Sequence, residues 1–241
     1  MGSLTAAALL ILLSVMAGCG GGGGAEPVSL SPGGEGMDAG AGGGLAGGRT
    51  VHACGRSVMA GWFEHWGWDG DPAVPAAFAG WELYYHEMES PPRITVDARR
   101  VISAAGEGGV VFFKLCFADF EGGDEETARA NLERNRKIVD EVVDYSRQFP
   151  GQVLLLGNAL PVVKEYCDRW MVWNQQSYNR HLEELAASGP RTVVVDLYGA
   201  LAAADGSLQP RYAPDRYDSH PNAAGYAALD GALRSALQKL P

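Results

Sequence analysis

The sequence predicts an α/β domain in which a parallel β-sheet is covered by helices on both faces. Short apolar runs alternate with segments of helical periodicity from residue 50 to residue 241. One run, residues 109–117 (GVVFFKLCF), is rich in β-branched and aromatic residues and is typical of a strand buried on both faces. In such sheets the ligand site lies beyond the carboxyl ends of the strands.

The elements follow one another along this domain. Thr50–Cys54 is the first predicted strand, and it breaks at Gly55. A long helix is expected to begin at the cap residue Asp124 and to stop before Pro150. Five strands are predicted, at residues 50–54, 81–86, 109–117, 152–156 and 192–196. The other helices are predicted at residues 95–105, 174–188 and 223–239.

The first residues of the chain have the pattern of an export signal. Residues 4–17 form an uncharged apolar run that is shorter than the roughly 20 residues needed to span a bilayer. The run ends in Met16-Ala17-Gly18-Cys19, which resembles a lipobox. We therefore expect residues 1–18 to be a lipoprotein signal peptide, Cys19 to be lipidated, and the domain to be anchored in the cell envelope outside the cytoplasm, at the outer membrane or cell surface. An ordinary secretory signal is the alternative.

The composition of the remaining chain indicates its domain organisation and limits the kinds of partner it can bind. Residues 19–49 are dominated by glycine, which predicts a flexible tether between the anchor and a single domain at residues 50–241. The net charge of −10 argues against a nucleic-acid partner. Cys54, Cys116 and Cys167 match no zinc spacing, so we expect no metal site. One disulfide with one free thiol, or three buried thiols, are both compatible with their number.

Two short strings carry the candidate chemistry. Ser57 follows the first strand directly, on a turn that can expose its hydroxyl at the sheet edge. Asp218, His220 and Asn222 lie together just before the last helix. A serine hydroxyl needs an imidazole within hydrogen-bonding reach, and the imidazole needs a carboxylate to orient it. These residues therefore predict a serine nucleophile, although Ser57 as a plain helix cap is the alternative.

The two strings together resemble the SGNH/GDSL hydrolase family over residues 50–241. The resemblance implies a flavodoxin-like, three-layer α/β/α fold and ester hydrolysis without a cofactor, with Ser57, His220 and Asp218 as catalytic residues. The spacing of Asp218 from His220 is one residue shorter than usual, so Asp215 is the alternative carboxylate. The segment Lys114-Leu-Cys116-Phe-Ala-Asp119 is similar to a third motif found in one branch of the superfamily.

The oxyanion hole departs most from the family pattern. Ala118 stands where the third motif supplies a side-chain donor, and the second-motif glycine has no counterpart. Asn158, at the end of the fourth predicted strand, and Arg56 are the candidate replacements for oxyanion or substrate contacts.

The functional prediction is a serine esterase that acts on an acyl or acetyl ester of a small molecule, or of an envelope or extracellular glycan. A non-catalytic binding or scaffold lipoprotein on the same fold is the alternative, favoured by Ala118. Aromatic side chains follow Ser57, and they indicate either a sugar-binding cleft or core packing: Trp62, Phe63, Trp66, Trp68 and Trp81.

Overall fold

The computed structural model describes residues 49–240 of the chain. The predicted signal peptide, Cys19 and nearly all of the predicted tether lie outside these residues. Within residues 49–240, no helix is both long and apolar enough to cross a membrane. The first strand of the described residues starts at Arg49.

Residues 49–240 form a sheet of six strands in the order β2–β3–β1–β4–β5–β6. Neighbouring strands are parallel except for β2, which pairs antiparallel with β3 at the edge. The strands are β1 (Arg49–Gly55), β2 (Ala76–Phe78), β3 (Trp81–Glu87), β4 (Val110–Lys114), β5 (Val153–Gly157) and β6 (Thr192–Val195). The five predicted strands are confirmed, and β2 is a short addition that the sequence pattern did not predict.

Six α-helices of the described part of the chain cover the sheet. They are α1 (Ser57–His65), α2 (Ile94–Ala105), α3 (Glu125–Ser146), α4 (Arg169–Ala187), α5 (Leu197–Leu201) and α6 (Ala223–Leu237). Helix α4 begins five residues before the predicted Asn174, because the Asp168 carboxylate caps it by accepting from the backbone N–H groups of Trp170 and Met171. Asp124 caps α3 as predicted, and its side chain accepts from the N–H of Thr127.

One apolar layer packs on each face of the sheet. Successive side chains of β4 point to opposite faces and so belong to different layers. Phe112 packs on the face covered by α1, α5 and α6, whereas Phe113 packs on the face covered by α2, α3 and α4. Because both faces of β4 are buried, its sequence does not alternate between apolar and polar residues. The predicted three-layer α/β/α fold is confirmed.

The aromatic cluster after Ser57 belongs to the core. Trp62 and Phe63 are completely buried and Trp81 is 7% exposed, so these rings cannot bind a sugar. The indole N–H groups of Trp62 and Trp66 both donate to Asp230 Oδ1 at 2.8 Å, which ties α1 to α6. The core-packing interpretation of this cluster is therefore correct for its buried members.

Candidate active site

Ser57 lies at the carboxyl edge of the sheet, where β1 passes into α1. The chain turns at Arg56, whose carbonyl accepts from the backbone N–H groups of Met59 and Ala60 at 2.7 and 3.1 Å. A Cβ on Gly55 would lie 2.7 Å from Met59 Cβ, so only glycine lets α1 start this close to the strand. The turn leaves the Ser57 side chain exposed.

His220 reaches Ser57 from the loop before α6. Its Nε2 lies 3.0 Å from Ser57 Oγ, which confirms the predicted proximity of the two side chains. Its Nδ1 lies 2.7 Å from Asp218 Oδ1, and the same oxygen accepts from the His220 backbone N–H at 2.9 Å. Because the carboxylate accepts the Nδ1 proton, the lone pair of Nε2 faces the serine hydroxyl.

The shortened spacing therefore does not prevent Asp218 from orienting the imidazole. The alternative, Asp215, instead accepts from the backbone N–H of Tyr217 at 2.7 Å. Burial acts to raise the pKa of the Asp218 carboxyl, but the hydrogen bonds from the backbone and ring of His220, together with the charge of the imidazole, hold that pKa below its usual value. Asp218 is thus ionised at neutral pH.

The loop that carries His220 is held in place by side chains of its own neighbours in the sequence. The Asn222 side-chain oxygen caps α6 by accepting from the N–H groups of Ala224 and Gly225, and its amide donates to the carbonyls of Arg211 and Ala213, both at 3.0 Å. Ser219 Oγ, which is buried, accepts from the Val163 backbone N–H at 3.1 Å. The loop is consequently pinned on both sides of His220.

An ion pair joins the nucleophile turn to the segment after β4. Arg56 Nη2 lies 2.5 Å from Asp119 Oδ1, and Arg56 Nη1 donates to Ser90 Oγ at 2.8 Å. Asp119 Oδ2 accepts from the Cys116 backbone N–H at 2.8 Å. This pair holds a short 3₁₀ turn, Phe117–Asp119, whose Phe117 ring meets the His220 ring edge-to-face at 5.3 Å.

The comparisons with known proteins agree with this geometry. The model of the GDSL-like lipase/acylhydrolase family matches residues 53–228, which include Ser57, Asp218 and His220. The chain belongs to this family. Membership makes it a hydrolase of ester bonds, and the resemblance drawn from the sequence is confirmed. No curated protein matches the chain.

Solved structures of GDSL hydrolases share the fold. A GDSL-like lipase from Bacteroides thetaiotaomicron is 16% identical, with a TM-score of 0.57 over 79% of this chain and 88% of that one. A lipolytic G-D-S-L protein from Veillonella parvula is 15% identical, with a TM-score of 0.56 over 79% and 99% of the two chains. A putative platelet activating factor from Streptococcus pneumonia is 20% identical, with a TM-score of 0.53 over 78% and 83%.

This GDSL hydrolase differs from the family pattern around the oxyanion position. Ala118 is exposed and brings only a methyl group. Asn158, the first candidate replacement, is engaged elsewhere: its Nδ2 donates to Asp196 Oδ1 at 2.8 Å and its Oδ1 accepts from the Tyr198 N–H at 2.7 Å. It bridges the ends of β5 and β6, and β4 separates β5 from the β1 strand that leads to Ser57.

Arg56, the second candidate replacement for the oxyanion donor, is also engaged in other contacts. The Arg56 guanidinium is committed to Asp119 and Ser90, and its Nε is buried without a hydrogen-bond partner among the described residues. Within residues 49–240, the backbone N–H of Ser57 donates to no acceptor. This amide is the donor that the nucleophile turn leaves free for a developing oxyanion.

A buried lysine beneath the site was not predicted from the sequence. Lys114, the last residue of β4, is 1% exposed, and its Nζ donates to the Leu115 carbonyl at 3.2 Å. Desolvation lowers its pKa from the usual range. The side chain fits because β5 carries Gly157 opposite it, where a Cβ would lie 2.8 Å from Lys114 Cβ.

The described cysteines form no disulfide. Cys54 and Cys116 are buried thiols, and Cys167 is partly exposed. Burial raises the pKa of the Cys54 thiol. The alternative with one disulfide is therefore wrong, and the alternative with three buried thiols is correct for Cys54 and Cys116 but not for Cys167. No group of three or more His, Cys, Asp or Glu side chains in the described part of the chain is placed to hold a metal ion.

Proposed function

We propose that Ser57 is the nucleophile of a serine esterase, with His220 as its general base and Asp218 as the carboxylate that orients His220. The observation that carries this proposal is the continuous chain of hydrogen bonds from Ser57 Oγ through His220 to Asp218, at 3.0 and 2.7 Å. Both distances are within the reach that proton transfer requires.

The reaction follows from these contacts. Ser57 Oγ bonds to the acyl carbon while its proton passes to His220 Nε2, and the tetrahedral intermediate forms with its negative oxygen near the free N–H of Ser57. Collapse breaks the bond to the alcohol, which leaves with the proton from Nε2. Water then gives a proton to His220 Nε2 and bonds to the acyl carbon. Collapse breaks the bond between Ser57 Oγ and the acyl carbon, Oγ regains the proton from Nε2, and the acid is released.

The exposure of the site favours a short acyl group. Ser57 is exposed, and the side chains of His220 and Asp218 are 39% and 43% exposed. This exposed position leaves room for a bulky alcohol. We therefore propose an acetyl or similarly short ester, carried by an envelope or extracellular glycan. The lipobox-like Cys19 supports this location, because it would anchor the domain in the cell envelope.

The test is hydrolysis of p-nitrophenyl esters from acetate to octanoate by the purified protein. Activity should be highest on acetate and should disappear in Ser57→Ala. Ser235→Ala is a matched control, because Ser235 is an exposed α6 serine whose Oγ donates only to the Gly231 carbonyl. Failure to hydrolyse any ester of the series would favour the scaffold alternative. Activity that survives in Ser57→Ala would assign the reaction to a different nucleophile.

A further inference from the structure

Two exposed tyrosines stand out on the surface of the described residues. The large apolar or aromatic side chains that are exposed there are Val74, Val96, Tyr166 and Tyr217. Tyr217 is 54% exposed and directly precedes Asp218, so its Cα lies within about 11 Å of the His220 Cα, the reach of three extended residues. Tyr166 is 50% exposed and belongs to the loop that follows β5.

The loops that carry the two tyrosines are joined to each other. Ser219 Oγ accepts from the Val163 N–H at 3.1 Å, and Glu165 Oε1 lies 3.8 Å from Arg216 Nε. Glu165 and Arg216 are the residues that immediately precede Tyr166 and Tyr217. The two tyrosines therefore belong to adjoining loops at the carboxyl edge of the sheet, and the Tyr217 loop also carries His220.

The Tyr217 ring is held in place without being covered. The Arg216 guanidinium lies over one face of the ring, 4.5 Å from its centre, and also contacts the Tyr217 hydroxyl. The backbone N–H of Tyr217 donates to Asp215 Oδ1 at 2.7 Å and fixes the turn. An exposed aromatic ring that is already held by such contacts loses little conformational entropy when a ligand stacks on it.

The surroundings of the rings select the kind of ligand. Lys164 and Asp205 form an exposed ion pair at 2.7 Å beside Tyr166, and Glu165, Arg216 and Asp215 flank the two tyrosines. An alkyl chain would have to lie across these hydrated charges. A sugar ring suits them better, because its C–H face can stack on a tyrosine while its hydroxyl groups bond to the charged side chains.

We propose that Tyr166 and Tyr217 form a subsite that stacks on the pyranose ring of the alcohol part of the ester. This inference rests on the proposed esterase function and specifies its substrate as an acylated oligosaccharide. Because the subsite is proposed to hold the alcohol part, an ester of a very small alcohol, such as ethyl acetate, reaches Ser57 without using it.

The binding test does not depend on turnover. Xylohexaose is titrated into Ser57→Ala and into Ser57→Ala combined with Tyr217→Ala or Tyr166→Ala. Each tyrosine removal should weaken binding by about 3- to 10-fold, the range expected for one stacking contact, and Tyr217→Phe should retain it. Val96→Ala, another exposed apolar side chain but on α2, is the control. Absence of xylohexaose binding, or equal affinity with and without the tyrosines, would overturn the subsite.

The kinetic test separates the subsite from the esterase itself. In the otherwise wild-type protein, Tyr217→Ala should raise KM for acetylated xylohexaose, and kcat/KM should fall by a larger factor on that substrate than on ethyl acetate. An equal loss on both substrates would overturn the subsite, because it would show damage to the Ser57–His220 geometry. If the wild type hydrolysed neither substrate, the proposed function would be refuted. The binding test would still decide whether the tyrosines hold a sugar.

Discussion

Removal of the Asp119 carboxylate should destabilise the protein strongly. The side chain is 5% exposed, and it pairs with an Arg56 side chain that is only 19% exposed. Asp119→Ala leaves a largely buried guanidinium with Ser90 as its remaining side-chain partner, and breaking a buried pair in this way costs about 3–5 kcal/mol. At about 2–4 °C per kcal/mol for a domain of this size, Tm should fall by about 6–20 °C.

The assay is urea unfolding at pH 7, followed by tryptophan fluorescence. Glu125→Ala is the matched control, because the Glu125–Arg129 pair on α3 is more than half exposed on both sides and should contribute at most about 1 kcal/mol. The double variant Arg56→Met/Asp119→Leu should be more stable than Asp119→Ala, because it leaves no unpaired charge. A loss for Asp119→Ala no larger than that for Glu125→Ala would refute the argument that this pair holds the nucleophile turn.

Three further outcomes are expected. Burial lowers the pKa of Lys114, so this side chain binds more protons in the unfolded chain than in the folded one at alkaline pH below about 10.4. Its contribution to the free energy of unfolding should rise with pH in that window, so the stability of the wild type relative to Lys114→Met should rise in urea titrations at several pH values. Ala118→Asn should raise kcat on p-nitrophenyl acetate, by up to the roughly 10²-fold to 10³-fold that one oxyanion donor contributes elsewhere, and an unchanged kcat would show that position 118 does not face the oxyanion. Cys19→Ala should abolish labelling by a palmitate analogue in cells, and equal labelling of both forms would refute lipidation at Cys19.

The predictable part of the site depends on neighbours in the sequence. Ser57 follows its strand directly, and Asp218, His220 and Asn222 belong to one string, so their roles could be inferred without the fold. The doubt about Asp218 came from the motif spacing alone. One carboxylate oxygen satisfies both the backbone N–H and the ring of His220, a geometry that spacing does not reveal.

The unpredicted part depends on partners that are distant in the sequence. Asn158 was proposed as an oxyanion donor because it ends a strand, but its amide bonds to Asp196, 38 residues away. The burial of Lys114 depends on Gly157 in the neighbouring strand. The indole N–H groups of Trp62 and Trp66 donate to a carboxylate of α6, which is far from them in the sequence. The edge strand β2 has three residues, too few for an alternating pattern to stand out.

The most direct test of the central claim is labelling of the protein by a fluorophosphonate probe, with the modified residue located by mass spectrometry. The probe should attach to Ser57 in the wild type, it should not label Ser57→Ala, and His220→Ala should label far more slowly because Nε2 no longer accepts the serine proton. Ser57→Ala and His220→Ala should also lose similar factors in kcat, since the two side chains act as one unit. Labelling of His220→Ala at the wild-type rate, or attachment of the probe to another residue, would contradict the assignment of Ser57 and His220 as the catalytic pair.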